Sequence, residues 1–216
     1  MSPHYAHDRD RLIYELVMRQ EPKQARMCGV GGKADRRPID PPPIVQLRVI
    51  DPAANERRRR NSSPSQPPSP TPSSTSTLND DRDDSSLDNS YAQSFLQNPY
   101  YFMFASLAKP DDDAELHWLK DGRTRCTTGS VVSSLYHLKD PQNNNEDAGF
   151  FVFPDLSVRT EGSYRLKLSL FEVVGSNVRH CKSIYSAPFY VYTAKKFPGM
   201  EGIVHAVVLF SGGSGN

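Results

Sequence analysis

Short runs of alternating apolar and polar residues, punctuated by turn residues, make up most of the chain. Ile44–Ile50 (IVQLRVI) alternates well and Tyr14–Arg19 (YELVMR) less regularly, the period of two that strands with one buried face require. Tyr100–Leu107, Gly129–Leu138, Gly149–Phe153, Ser163–Val174 and Ala187–Tyr192 follow, dominated by aromatic and β-branched residues. Their separators are turn-rich: Lys109–Asp113, Lys120–Gly122, Lys139–Asp147, Pro154–Asp155 and Val174–Asn177. No amphipathic period runs beyond two helical turns. Short strands at this spacing predict an all-β chain, an immunoglobulin-like β-sandwich. Gly162-Ser163-Tyr164 adds a specific hint. A Gly-x-Tyr step into an alternating strand is where such domains place a tyrosine corner, although any buried strand tyrosine has the same letters.

The pattern fails between Asp51 and Tyr91. Fifteen of the 17 residues in Asn61–Thr77 are Ser, Thr or Pro, and an acidic run, LNDDRDDSSLDNS, follows. With almost nothing apolar to bury, such a stretch cannot offset the entropy of ordering it. Residues 53–90 are therefore expected to be a disordered insertion. The strands before it are too few to enclose a core and must pair with strands after it. The expected organisation is a flexible N-terminus at 1–10 and one domain at 11–200, interrupted at about 53–90. A tail at 201–216 completes it.

Composition narrows the class. The 216 residues are 37% hydrophobic with 18 Pro and a mean hydropathy of -0.61. No apolar run approaches the ~18 residues that span a bilayer, so no membrane partner is expected. The opening MSPHYAHDRDR lacks the apolar stretch of a secretory signal. Three cysteines (Cys28, Cys126, Cys181) without a C-x-x-C pair suit a reducing address better than a disulfide framework.

Catalytic motifs are missing. Cys28–Lys33 (CGVGGK) fails as a phosphate-binding loop because Met27 stands at the first Gly position and Ala34 follows the Gly-Lys pair. There is no G-x-S-x-G and no H-E-x-x-H. The six histidines lack ligand spacing, and His180 and Cys181 would face opposite ways on a strand. The reading is a protein that is not an enzyme, with no cofactor, no metal and no small-molecule substrate.

Charge is what remains. The net value of +1 hides an asymmetry: residues 1–60 hold 13 Lys+Arg against 8 Asp+Glu, and residues 61–113 hold 2 against 8. The segment Gln20–Pro43 carries Lys23, Arg26, Lys33, Arg36 and Arg37 among glycines and prolines. With Pro38 and Pro41-Pro42-Pro43 it should form an extended loop outside any helix or ladder. Basic side chains on such a loop neutralise phosphates, and arginine also reads guanine edges. DNA or RNA contact and a plain solvated loop both fit these residues. Arg57, Arg58, Arg59 and Arg60 fit a nuclear import signal, a non-specific phosphate contact or a solubilising run.

The segment RQEPKQARMCGVGGKADRRPIDPPPIVQLRVID resembles the opening signature of the fungal velvet family of developmental regulators. NPYYFMFASL, LHWLKDGRTRCTTGSVVSSLYHLKD, GFFVFPDLSVRTEGSYRLKLSLFE and CKSIYSAPFYVYTAKKFPGM resemble its later blocks. The resemblance implies a sandwich similar to the Rel homology domain of the NF-kappa-B class, which binds double-stranded DNA through loops at one end. It implies a nuclear regulator, shuttling with the cytoplasm, of sporulation, spore viability and secondary metabolism. Such proteins pair with themselves or with other velvet proteins. Lys33, Arg36 and Arg37 are then the first candidates for DNA contact, with Lys23 and Arg26 next and Cys28 a neighbour of the contact. The alternative is an interaction subunit that dimerises with a velvet partner supplying most of the DNA affinity. After Phe197-Pro198-Gly199-Met200 the family usually continues into a final basic strand, whereas EGIVHAVVLF here is apolar.

Overall fold

The computed structural model describes residues 11–30, 36–53, 98 and 100–200. Two sheets face each other. One has the order β1-β3-β9-β8, built from Ile13–Gln20 (β1), Ile44–Ile50 (β3), Glu146–Val152 (β9) and Tyr136–Asp140 (β8), every neighbour antiparallel. The other is centred on Gly162–Val174 (β11), with Tyr101–Ala108 (β4) along one side. Along the other side run Asn177–Tyr185 (β12) and Phe189–Tyr192 (β13), end to end. Gln24–Arg26 (β2) flanks β13, while Glu115–Leu116 (β5) and Val132–Ser134 (β7) pair with β4. Thr127–Thr128 (β6) and Ser157–Val158 (β10) form a small ribbon of their own. The first sheet has the A-B-E-D order of an immunoglobulin-like sandwich, and β4, β11 and β12/β13 supply its C-F-G strands.

The core follows the period of two. Val45, Leu47 and Val49 face Met103, Ala105 and Leu107 and the row Leu166, Leu168 and Leu170 across the sandwich, all buried. Each such leucine contributes about 2 kcal/mol through apolar area removed from water. Phe151, Phe153, Leu156 and Val158 carry that core round the end where β9 crosses to β11. The tyrosine corner is present. Tyr164 Oη donates to the carbonyl of Glu161 at 2.9 Å.

Three expectations need correction. The segment Gln20–Pro43 does hold a ladder: β2 pairs in parallel with β13, and Gln24 bridges Asp40. Its prolines, Pro22 before β2 and Pro38 and Pro41–Pro43 after it, all lie outside the strand, so the amides that β2 needs are free to pair, and the fully buried Ala25 fixes it against the core. Gly129–Leu138 is not one strand. Its halves β7 and β8 join different sheets across Leu135, and Ser133 Oγ seals the switch by accepting the Val152 amide at 3.0 Å. The third correction is β12, which the apolar pattern passes over. Among the described residues it pairs only with β11, and none of its residues is fully buried, so its sequence carries no strong apolar alternation. On it His180 meets the ring of Phe171 while Cys181 packs on the core, opposite faces as the strand period requires.

Lys33, Arg57–Arg60, residues 1–10, the insertion from 54 onward and the ending 201–216 lie outside the described residues.

Candidate nucleic-acid interface

After Gln20 the chain leaves the first sheet and re-enters the second as β2, so the basic loop starts from a strand in register. Tyr190 pairs with Gln24 and Tyr192 with Arg26. Asp40 closes the loop: its carbonyl accepts from the amides of Lys23 (3.1 Å) and Gln24 (2.9 Å), and its own amide donates to the Gln24 carbonyl at 2.8 Å. The loop is also fastened along its course. Met27 donates to the Tyr192 carbonyl at 2.8 Å, Cys28 to that of Val158 at 2.9 Å and Ile39 to that of Leu156 at 2.8 Å. Ile39 and Cys28 are buried beneath it. The described flanks of the loop, 23–30 and 36–40, are held in place and give up little further freedom when they meet a ligand.

On this frame Arg36 and Arg37 are exposed, Lys23 is exposed at the entry to β2, and Arg26 is half-buried at its end. Arg36 lies near both Cys28 and Asp155, and its charge acts on the two of them. Burial pushes the Cys28 thiol up, against the opposing pull of Arg159 and Arg36. Cys28 is thus a packed anchor under the loop, since the reactive species of cysteine is the thiolate. Asp155 is held below the usual carboxylate range by its bond with Ser130, whose amide donates at 2.8 Å, and Arg36 adds to that. The structure therefore gathers Arg26 and Arg36 at the β9–β11 crossing. Lys23 stands apart, about 10 Å down β2 from Arg26 at ~3.3 Å per residue.

Arg159 is the residue that sequence reasoning missed. It follows β10, and its Nη1 donates to the carbonyl of Gly29 at 2.8 Å while its backbone amide donates to the carbonyl of Cys126 at 2.9 Å. Its Nε is buried and without a hydrogen-bond partner among the described residues. The link to Gly29 spans 130 positions, so no local pattern could have announced it.

Among the described residues no cluster of His, Cys, Asp or Glu has the arrangement of a metal site, and no helix is long and apolar enough to cross a membrane.

Known proteins place this frame in a family. The family model described as Velvet factor matches residues 14–121 and 62–204. The spore development regulator umv1 of Mycosarcoma maydis is 52% identical over 208 residues, covering 89% of this chain and 25% of the relative. The spore development regulator VOSA of Pyricularia oryzae is 39% identical, covering 87% of the chain and 29% of the relative. The developmental and secondary metabolism regulator veA of Emericella nidulans is 31% identical, covering 88% and 32%. The chain thus spans between a quarter and a third of the length of these relatives, each of which is named as a regulator. On the extent of the family match, the chain belongs to the velvet factor family.

Proposed function

We propose that this protein is a sequence-specific DNA-binding regulator of fungal spore development and secondary metabolism, acting in the nucleus without catalysis. The observation that supports this best is the fastened loop between β2 and Asp40, which holds Arg36 and Arg37 exposed at one end of the sandwich. Guanidinium groups on a preorganised backbone bind phosphates at small entropic cost and address guanine edges in the major groove. Lys33, within the same loop, adds a third charge, and Arg57–Arg60 serve nuclear import. The working form is a dimer with itself or with another velvet protein.

Anisotropy titration of a labelled duplex at several salt concentrations tests the reading. Replacing Lys33, Arg36 and Arg37 by Ala should weaken binding and reduce the salt slope by about 3, roughly one counterion per lost phosphate contact. An unchanged affinity and slope in a folded triple variant would sink it.

A second reading has its own observation. Ile13 and Val17 are exposed apolar residues on β1, an edge strand of the four-stranded sheet. That suits a subunit whose main work is dimerisation. Titrating the same duplex with and without a velvet partner separates the two readings: on the second, the chain alone binds DNA weakly and the partner restores affinity.

A further inference from the structure

Between β5 and β6 the chain forms a hairpin that the basic loop does not explain. Trp118 and Arg125 face each other across it, Cys126 donates to the His117 carbonyl at 2.9 Å, and Leu119 donates to that of Thr124 at 2.7 Å. Leu119 packs on the core and anchors the stem. At the tip the one acid, Asp121, is exposed and ties the turn, accepting the amides of Arg123 and Thr124 at 2.9 Å and the Thr124 hydroxyl. Lys120, Arg123 and Arg125 are left exposed, and no described carboxylate pairs with them. Trp118, the one tryptophan of the chain, is 49% exposed, with the Arg125 guanidinium 4.8 Å from its ring centroid. A large aromatic on the surface, stacked with a cation, is the kind of amphipathic anchor that interfaces favour.

The hairpin stem adjoins the basic loop through a single strand. Along Ser157-Val158-Arg159 the backbone groups point alternately to either side. Thr127 and Thr128 pair with Val158 and Ser157, and the Arg159 amide reaches Cys126. On the other side the Val158 carbonyl accepts the Cys28 amide. Two strand spacings, about 10 Å, therefore separate the loop from the stem. That distance compares with the ~12 Å width of the major groove. Arg159 joins the two elements, bonding to Gly29 in one and Cys126 in the other.

We propose that the Trp118–Arg125 hairpin is a second DNA-contacting element on the same duplex. In it Lys120 and Arg123 neutralise backbone phosphates, and Trp118 with Arg125 presents a flat cationic face to sugar or base edges. The inference rests on the DNA-binding reading of the loop and extends it to a surface on the other side of β10. A turn that merely closes the fold has no need of three exposed cations against one acid, on a stem that shares β10 with the basic loop.

The lone tryptophan makes the test specific. The full chain is titrated with unlabelled duplex while Trp118 emission is followed, in parallel with anisotropy of a labelled duplex. Emission should be quenched saturably, with the midpoint that anisotropy gives. The Lys120→Ala/Arg123→Ala variant, whose replaced side chains are exposed, should melt like the parent and lose about 2 from the salt slope. A silent Trp118, or an unchanged slope in the folded variant, overturns the hairpin contact and leaves the loop reading standing. Failure of the parent chain to bind duplex at low salt overturns both.

Discussion

Arg19 of β1 grips Asp140 at the end of β8 with both prongs of its guanidinium, Nη1 to Oδ2 at 2.6 Å and Nη2 to Oδ1 at 2.9 Å. The same guanidinium reaches Gln46 at 2.8 Å and Gln142 at 2.6 Å, and lies 5.7 Å from the ring centroid of Phe150. Beneath it Phe150, Ile44, Ala148 and Val152 form a second small apolar cluster. Asp140 is 1% exposed, so removing its charge strands a cation over apolar surface. Asp140→Ala should cost about 3 kcal/mol at neutral pH, the low end for breaking a buried pair, as chemical denaturation would measure.

The same pair has a pH signature. The bond from Arg19 holds the Asp140 carboxyl below its ordinary value of 3.8. A depressed folded pKa means that the folded state binds fewer protons. The stabilisation is therefore full above about pH 5 and is lost as pH falls through 3.8 toward the folded value. Melting temperature of the parent should drop over that range, and Asp140→Asn should start lower at neutral pH and fall less steeply. Parallel curves for the two proteins would contradict this.

Gly162 opens β11 at φ +149°, where a Cβ would stand 2.8 Å from the Tyr164 hydroxyl. Gly162→Ala must therefore displace the ring that ties the corner, besides adopting a backbone conformation that side chains disfavour. Tyr164→Phe removes only the hydroxyl and its bond to Glu161, about 1 kcal/mol. The glycine variant should be the less stable of the two by urea denaturation. The reverse order would show that the corner tolerates a shifted ring.

Arg159 offers a separable effect on binding. It holds Gly29 from beneath the loop, so Arg159→Ala should loosen the loop and weaken duplex binding about tenfold, ~1.4 kcal/mol. The salt slope should change by less than 1, because positioning is lost and a phosphate contact is not. Arg159→Lys, which keeps the charge without the fork, should recover only part of the affinity. A slope that falls by a full unit in Arg159→Ala would make this residue a direct phosphate contact.

The cysteines can be ranked by a thiol-exchange reagent. Cys28 and Cys126 are buried and Cys181 is half-buried, and burial pushes all three thiols up. At pH 8 the native protein should react slowly at every site, Cys181 first, and in denaturant all three should react quickly. Fast labelling of Cys28 in the native state would show that the loop opens.

Alternation along Ile44–Ile50 and Ser163–Val174, and the Gly-x-Tyr step before the latter, announced a sandwich because a sheet with one buried face writes its period into local sequence. The basic character of Gln20–Pro43 was equally visible, since charge is a property of composition. What the order of residues left open are the relationships between distant segments. Polar β12 is a strand only because β11 offers it a partner, and Gly129–Leu138 divides because two sheets compete for its halves. Ala25 becomes a ladder residue through the parallel neighbour β13, supplied about 165 positions later. The joint between the basic loop and the Trp118 hairpin exists where the Val158 carbonyl faces the loop and the Arg159 amide faces the stem. Such contacts depend on which backbone groups remain unpaired once the core has formed, and that is settled by the packed structure as a whole.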